Sequence, residues 1–256
     1  MGGITSQTKT AIFPFVAMPW VSVWVAVSSA HDTPTRVSVV TGQAIAKQCL
    51  ADLRWCAVEF IQVEWLMAVF ARWFAHRQTV LVRGDDEPQY YAKTAELPAQ
   101  IVFAHGFFAS CLHEISHWCI AGQRRRGLDD FGYWYAPDGR DAAQQREFEQ
   151  VEIAPQALEC LFTLALGKRF RVSTDNLNAI RHGERDTQFD HNVYRQALVF
   201  LAQWQTPSPN TAPSPTGKRL STDARLLLNH LCALRPYPLT AFDVAQNFAY
   251  LRLNAY

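Results

Sequence analysis

The stretch Cys111-Leu112-His113-Glu114-Ile115-Ser116-His117-Trp118-Cys119 contains the pattern His-Glu-x-x-His, and the rest of the chain is read around it. Residues i and i+4 share one face of a helix, so both imidazoles can reach a single cation. Glu114 falls elsewhere around the helix, free to serve as a base or as the partner of a ligand. The apolar flanks Ile101-Val102-Phe103-Ala104 and Trp118-Cys119-Ile120-Ala121 suit a helix crossing a core, and Gly122 is its stop signal. Cys111 and Cys119 read as wall residues rather than ligands, because two histidines already claim that face.

Two histidines are one ligand short of a catalytic metal site, which has three protein ligands and open positions. The third should come from a separate element. Glu152 is the leading candidate, since it sits amid apolar neighbours beside Pro155, where an unpaired charge would be costly. Glu149, one helical turn earlier, is the alternative. His105 lies eight residues before His113, two turns back if one helix continues through both, and reads either as a buried structural histidine or as a candidate catalytic residue beside Glu114. Two histidines and a carboxylate fit two chemistries. With Zn²⁺ and Glu114 as base they make a hydrolase of the gluzincin kind. With Fe²⁺ and open positions they make an O₂-using facial triad. The motif alone favours hydrolysis, and spacing does not decide the metal.

Composition sets wide bounds. The 256 residues are 49% hydrophobic and 18% charged with a formal net charge of +1, a globular balance that gives no global reason to invoke nucleic acid or an acidic membrane. Six cysteines, at 49, 56, 111, 119, 160 and 232, contain no Cys-x-x-Cys and read as reduced thiols of a cytoplasmic protein.

The expected fold class is α+β and mostly helical, with a small sheet. Residues 1–47 read as an N-terminal extension. Its apolar run at 11–30 is attributed first to a start codon lying downstream, and second to a signal or anchor. Residues 48–204 form the main domain, opening with an amphipathic helix over 48–74 whose core face includes Phe60, Val63, Leu66, Phe70 and Phe74. Thr79–Val82 and Gln89–Tyr91 read as short strands, and Ile101–Gly106 as a strand or the first turn of the motif helix. Helices follow over 142–153 and 155–166, with Pro155 forcing a kink or a fresh start, and over 189–204. Residues 205–217 are a Pro/Ser linker and 218–256 a C-terminal helical arm packing back on the main domain. The basic run Arg124-Arg125-Arg126 is either a solvated helix end or a partner contact.

Longer runs resemble the bacterial elongation factor P hydroxylase family. They are Arg83-Gly84-Asp85-Asp86-Glu87-Pro88, Ile101–Phe107, His113–Gly122, Asp130-Phe131-Gly132-Tyr133-Trp134-Tyr135, Pro137-Asp138-Gly139-Arg140-Asp141, and Val151-Glu152 with Pro155–Leu158. The resemblance implies a zincin-like scaffold put to oxidative use. It also implies a metal-dependent monooxygenase acting at C5 of one lysine of translation elongation factor P, once that lysine carries a β-lysyl group. The implied ligands are His113, His117 and Glu152, with Fe²⁺ the expected metal, O₂ the oxidant and the cosubstrate unassigned. For a long cationic substrate arm, Tyr133, Trp134 and Tyr135 are candidates to hold the stem. Asp138 and Asp141, with Asp130, Asp86 or Glu87, are candidates to attract the charge. The partner expected is elongation factor P, in the cytoplasm, with no nucleic acid and no membrane. A zinc peptidase and a non-catalytic binding module for elongation factor P are the alternatives.

Overall fold

A computed structural model describes residues 58–132, 142–173, 187–206 and 214–252. The N-terminal extension, the first helix before residue 58, Tyr133, Trp134, Tyr135, Asp138, Asp141 and residues 207–213 of the linker lie outside the described residues.

The first described helix, α1 (Glu59–Trp73), buries Val63, Trp65, Leu66, Val69 and Phe70, a helical spacing that turns one face inward. Phe60 departs from the expected core face: it is 60% exposed. It lies in the first helical turn, where its cover is the Arg83 guanidinium 4.3 Å from the ring rather than other apolar side chains.

Three strands follow: β1 (Thr79–Arg83), β2 (Gln89–Tyr91) and β3 (Ala99–Phe103). Their order is β1-β3-β2, with β1 parallel to β3 and β2 antiparallel to it, so Leu81 and Tyr90 both register with Ile101. Burial alternates along β3, with Ala99, Ile101 and Phe103 inward, as in a sheet with one face on the core. Strand β2 is an edge, and the turn at Asp129–Gly132 covers it. Asp130 Oδ1 accepts from the Tyr90 N–H at 2.9 Å and Asp129 Oδ1 from the Ala92 N–H at 2.7 Å. Side-chain oxygens thus stand where a further strand's carbonyls would.

Helix α2 (Phe108–Arg125) carries the histidine motif. Its first N–H, on Phe108, donates to Glu59 Oε1 at 2.9 Å, which places a carboxylate from α1 at the positive end of the α2 dipole. Gly122 interrupts α2 at φ 71 and ψ 170, a conformation that L side chains avoid, so the regular helix ends where expected. Trp118 is fully buried and meets Phe70 and Phe74 of the α1 region edge-on, at 5.5 and 5.2 Å, which fixes how α2 is rotated on α1.

Helix α3 (Ala142–Ala165) runs unbroken through Pro155, a correction to the two shorter helices expected. Proline removes the bond to the carbonyl four residues earlier, and that residue, Val151, is exposed, so water can take its place. Residues 152–166 are buried throughout, which makes this the central helix. It packs against α2, α4 (Thr187–Gln205) and α5 (Thr222–Cys232). It stops at Gly167, φ 71, where the Lys168 N–H bonds the Thr163 carbonyl and the Gly167 N–H that of Leu164.

After α3 the chain is pinned by side-chain amides. Asn247, at the end of α6 (Ala241–Asn247), bonds both N–H and C=O of Phe170, and Gln156 does the same for Ser173. Phe248 packs on Phe170 and Tyr194. Ser214 and Thr216, at the end of the linker segment, both donate to the buried Gln196 Oε1. Among the described residues no helix is long and apolar enough to cross a membrane.

Candidate metal centre

On α2 the side chains of Leu112, Ile115, Ser116, Trp118 and Cys119 are buried, while His113, Glu114 and His117 remain half-exposed. The i, i+4 pair therefore faces a cleft rather than the core. The two Nε2 atoms are 3.0 Å apart, and the rings are edge-to-face at 4.7 Å. Glu152, on α3, reaches them from across the helix pair, with Oε1 3.1 Å from His117 Nε2 and Oε2 3.4 Å from His113 Nε2. Glu149 stays outside this cluster and accepts instead from the Gln145 amide at 3.1 Å.

A carboxylate that the sequence reading did not single out completes the arrangement. Glu159, two turns after Glu152 on α3, places Oε2 2.9 Å from His113 Nδ1. A signal for it was available in the sequence. Glu152, Gln156, Glu159 and Thr163, at i, i+4, i+7 and i+11, are the polar residues of one stripe in a stretch, 152–165, that is otherwise apolar. All four are buried.

The donor set is suited to a cation. With its Nδ1–H given to Glu159, a neutral His113 turns a lone pair toward His117 and Glu152, and at most one ring proton of His117 is left to share among three acceptors. Buried acceptors facing one another are unfavourable unless a positive charge sits between them. Ligand atoms bound at about 2.1 Å, with angles between square and tetrahedral, lie about 3.0–3.4 Å apart. The Nε2 pair at 3.0 Å and the contact of Glu152 Oε1 with His117 Nε2 at 3.1 Å match that spacing, and the second carboxylate oxygen, Oε2, lies 3.4 Å from His113 Nε2.

Electrostatics follow the same geometry. Burial opposes charge on His113, but the bonds and charges of Glu152 and Glu159 outweigh it and hold its pKa well above the usual histidine value. Burial alone would raise the Glu152 carboxyl, yet His117 and His113 bring it well below the glutamate range. Glu159 stays raised because burial prevails over the bond and charge of His113 and the charge of His117. Burial also lifts Glu114, against the pull of His117 and His113. The thiols of Cys111, Cys119 and Cys160 are all pushed upward by burial, which agrees with inert wall residues.

Other expected positions fall elsewhere. His105 does not continue the motif helix: it occupies a 3-10 turn ahead of α2 at φ 52, exposed, with its ring 5.7 Å from that of Phe107. Asp130 is committed to the backbone of β2 rather than held free for a substrate charge. Within the basic run, Arg126 bonds Asp223 and stacks on Trp118, while Arg124 is exposed.

Residues 69–219 match the family model of elongation factor P hydroxylase, a span that contains every residue of the cluster. The chain belongs to the elongation factor P hydroxylase family. Among its relatives, an elongation factor P lysine hydroxylase of Haemophilus influenzae is 47% identical over 142 residues, which are 54% of this chain and 78% of that protein. For a member of this hydroxylase family, the His-Glu-x-x-His helix is no longer an argument for a zinc peptidase.

Proposed function

We propose that this chain hydroxylates translation elongation factor P at C5 of its β-lysylated lysine, with a divalent metal held by His113, His117 and Glu152. The observation that carries the reading is the convergence of two imidazole nitrogens and the Glu152 carboxylate on one position, in a chain of this hydroxylase family. The metal, Fe²⁺ by the preference of two-histidine, one-carboxylate sites with open positions, would supply the O₂-dependent chemistry that converts C–H to C–OH, with two electrons from an external reductant and two protons taking the second oxygen atom to water. The scaffold is taken as zincin-like.

The chain's own residues orient and exclude. Glu152 and the two imidazoles occupy one side of the site, and the half-exposed edges of His113 and His117, 23 and 22% accessible, leave the other side to O₂ and the lysyl arm. Glu114, half-buried with a raised carboxyl beside both histidines, is placed to hold or deliver a proton there. Tyr133, Trp134 and Tyr135 are assigned to the aliphatic stem of the arm, and Asp138 and Asp141 to its charge. His105 has no part in this reading. The hydroxylase domain spans 48–204, with 218–256 as an arm on it, and the site of action is the cytoplasm, where the factor works.

The test is elemental analysis of anaerobically purified protein, combined with mass spectrometry of elongation factor P for the gain of one oxygen atom on the lysine. Wild type should retain iron and modify the factor. Hydroxylation that persists in His113→Ala would sink the assignment.

A further inference from the structure

Glu159 is 8% exposed on the central helix, where an ionisable carboxylate is unfavourable without a dedicated partner. Its partner is His113 Nδ1, at 2.9 Å. Glu152 and Glu159 lie seven residues apart, two helical turns, so they project from the same side of α3. The His113 ring is spanned between them, with Nε2 toward Glu152 and Nδ1 toward Glu159. Because Glu159 meets Nδ1, on the far side of the ring from the Nε2 that faces His117 and Glu152, it is not a fourth ligand. His117 has no equivalent: among the described residues its only hydrogen-bond contact is at Nε2.

We infer that Glu159 is the positioning residue for His113, holding the ring in the Nδ1–H tautomer with the Nε2 lone pair aimed at the metal position. A carboxylate behind a metal-binding imidazole fixes tautomer and ring orientation and strengthens the nitrogen as a donor. The two histidines are thereby unequal. His113 is held from behind by Glu159, whereas His117, among the described residues, is oriented by its helix and by Nε2 contacts with Glu152 and His113. Gln156, between the two glutamates on the same stripe, closes the wall by clamping the Ser173 backbone. This inference rests on the metal reading above.

The experiment uses the full chain with Glu159→Gln, Glu159→Leu and His113→Ala, and takes two measurements. One is the histidine ring ¹H–¹⁵N spectrum of the metal-free protein, and the other is anaerobic Fe²⁺ affinity by chelator competition. Wild type should show an Nδ1–H signal for His113. Leucine should abolish that signal, leave the His117 signals in place, and weaken Fe²⁺ binding about 10–100-fold. Glutamine, whose carbonyl still accepts the proton, should keep the signal but move it upfield, with a smaller loss of affinity. A general packing defect would disturb both histidines alike, and that result overturns the inference. So does an unmoved His113 signal in Glu159→Gln, which decides the matter if the leucine variant does not fold. Unchanged Fe²⁺ affinity in folded Glu159→Leu also overturns it. If wild type and His113→Ala bind Fe²⁺ equally, the metal reading fails, and the ring spectrum still judges Glu159 separately.

Discussion

Helix α2 takes part in two clusters of charge, one along its middle and one just past its end, and they are built on opposite plans. At the end, Arg126 donates to Asp223 Oδ2 at 2.5 Å and to the Trp118 carbonyl at 2.7 Å, with its guanidinium 3.5 Å from the Trp118 ring. Arg77 takes the other oxygen of Asp223 at 2.8 Å. Every acceptor there meets a donor, and the cluster ties α2 and the turn after α1 to the first turn of α5. In the middle, once His113 is neutral, His113, His117 and Glu152 bring acceptors together with too few protons to pair them. A closed network of this kind holds elements in place, whereas an open one prepares a position for a cation.

Removing one member of each cluster should separate these roles. Glu152→Ala should abolish iron retention and hydroxylation, read by elemental analysis and mass spectrometry, with helical circular dichroism preserved. An Asp223→Ala variant should instead lose about 3–5 kcal/mol of stability in urea unfolding, because Arg126 is left buried without its counter-charge. Its folded fraction should bind Fe²⁺ as wild type does. An Asp223 variant that lost metal affinity while staying folded would break the distinction.

Proton competition sharpens the contrast. In the metal-free protein His113 has a raised pKa, so its charged contacts contribute stability in full below the ordinary histidine value, and that contribution fades as pH rises through the raised value. Metal binding needs the deprotonated ring. Fe²⁺ affinity should therefore increase about tenfold per pH unit for the one proton displaced, and level off once His113 is neutral. Anaerobic titration at several pH values measures this. Flat affinity from the acid side through the neutral range would contradict it.

The smallest effect is expected at the sheet edge, outside the histidine cluster. Asp130→Ala removes the bond to the Tyr90 N–H and places alanine at φ 47, which should cost about 1–2 kcal/mol in chemical denaturation. Iron affinity should not change.

Reading these residues from sequence succeeded where the rule was local. The spacing of His113 and His117 needs only 3.6 residues per turn, and the stop at Gly122 needs only a residue that tolerates positive φ. Glu152 stood out because its neighbours are apolar. Glu159 is obscured by Pro155, which in sequence reads as a break and conceals that the two glutamates share one face of a single helix. His105 misled for the converse reason: positive φ at His105 and Gly106 ends the chain direction of β3 before α2 begins. Asp130, an apparent candidate for a substrate charge, is occupied by a backbone N–H forty residues away in sequence.

By itself, then, the sequence determined where helical and extended segments lie, though not that one helix runs through Pro155, together with the pair of histidines and a short list of carboxylates, because each depends on periodicity or on the cost of an isolated buried charge. Which carboxylate faces which ring nitrogen was decided only by tertiary structure. That choice depends on how α3 is seated against α2, and the seating is set by burying Trp118, Ile115, Leu158 and their neighbours in one core rather than by any spacing along the chain.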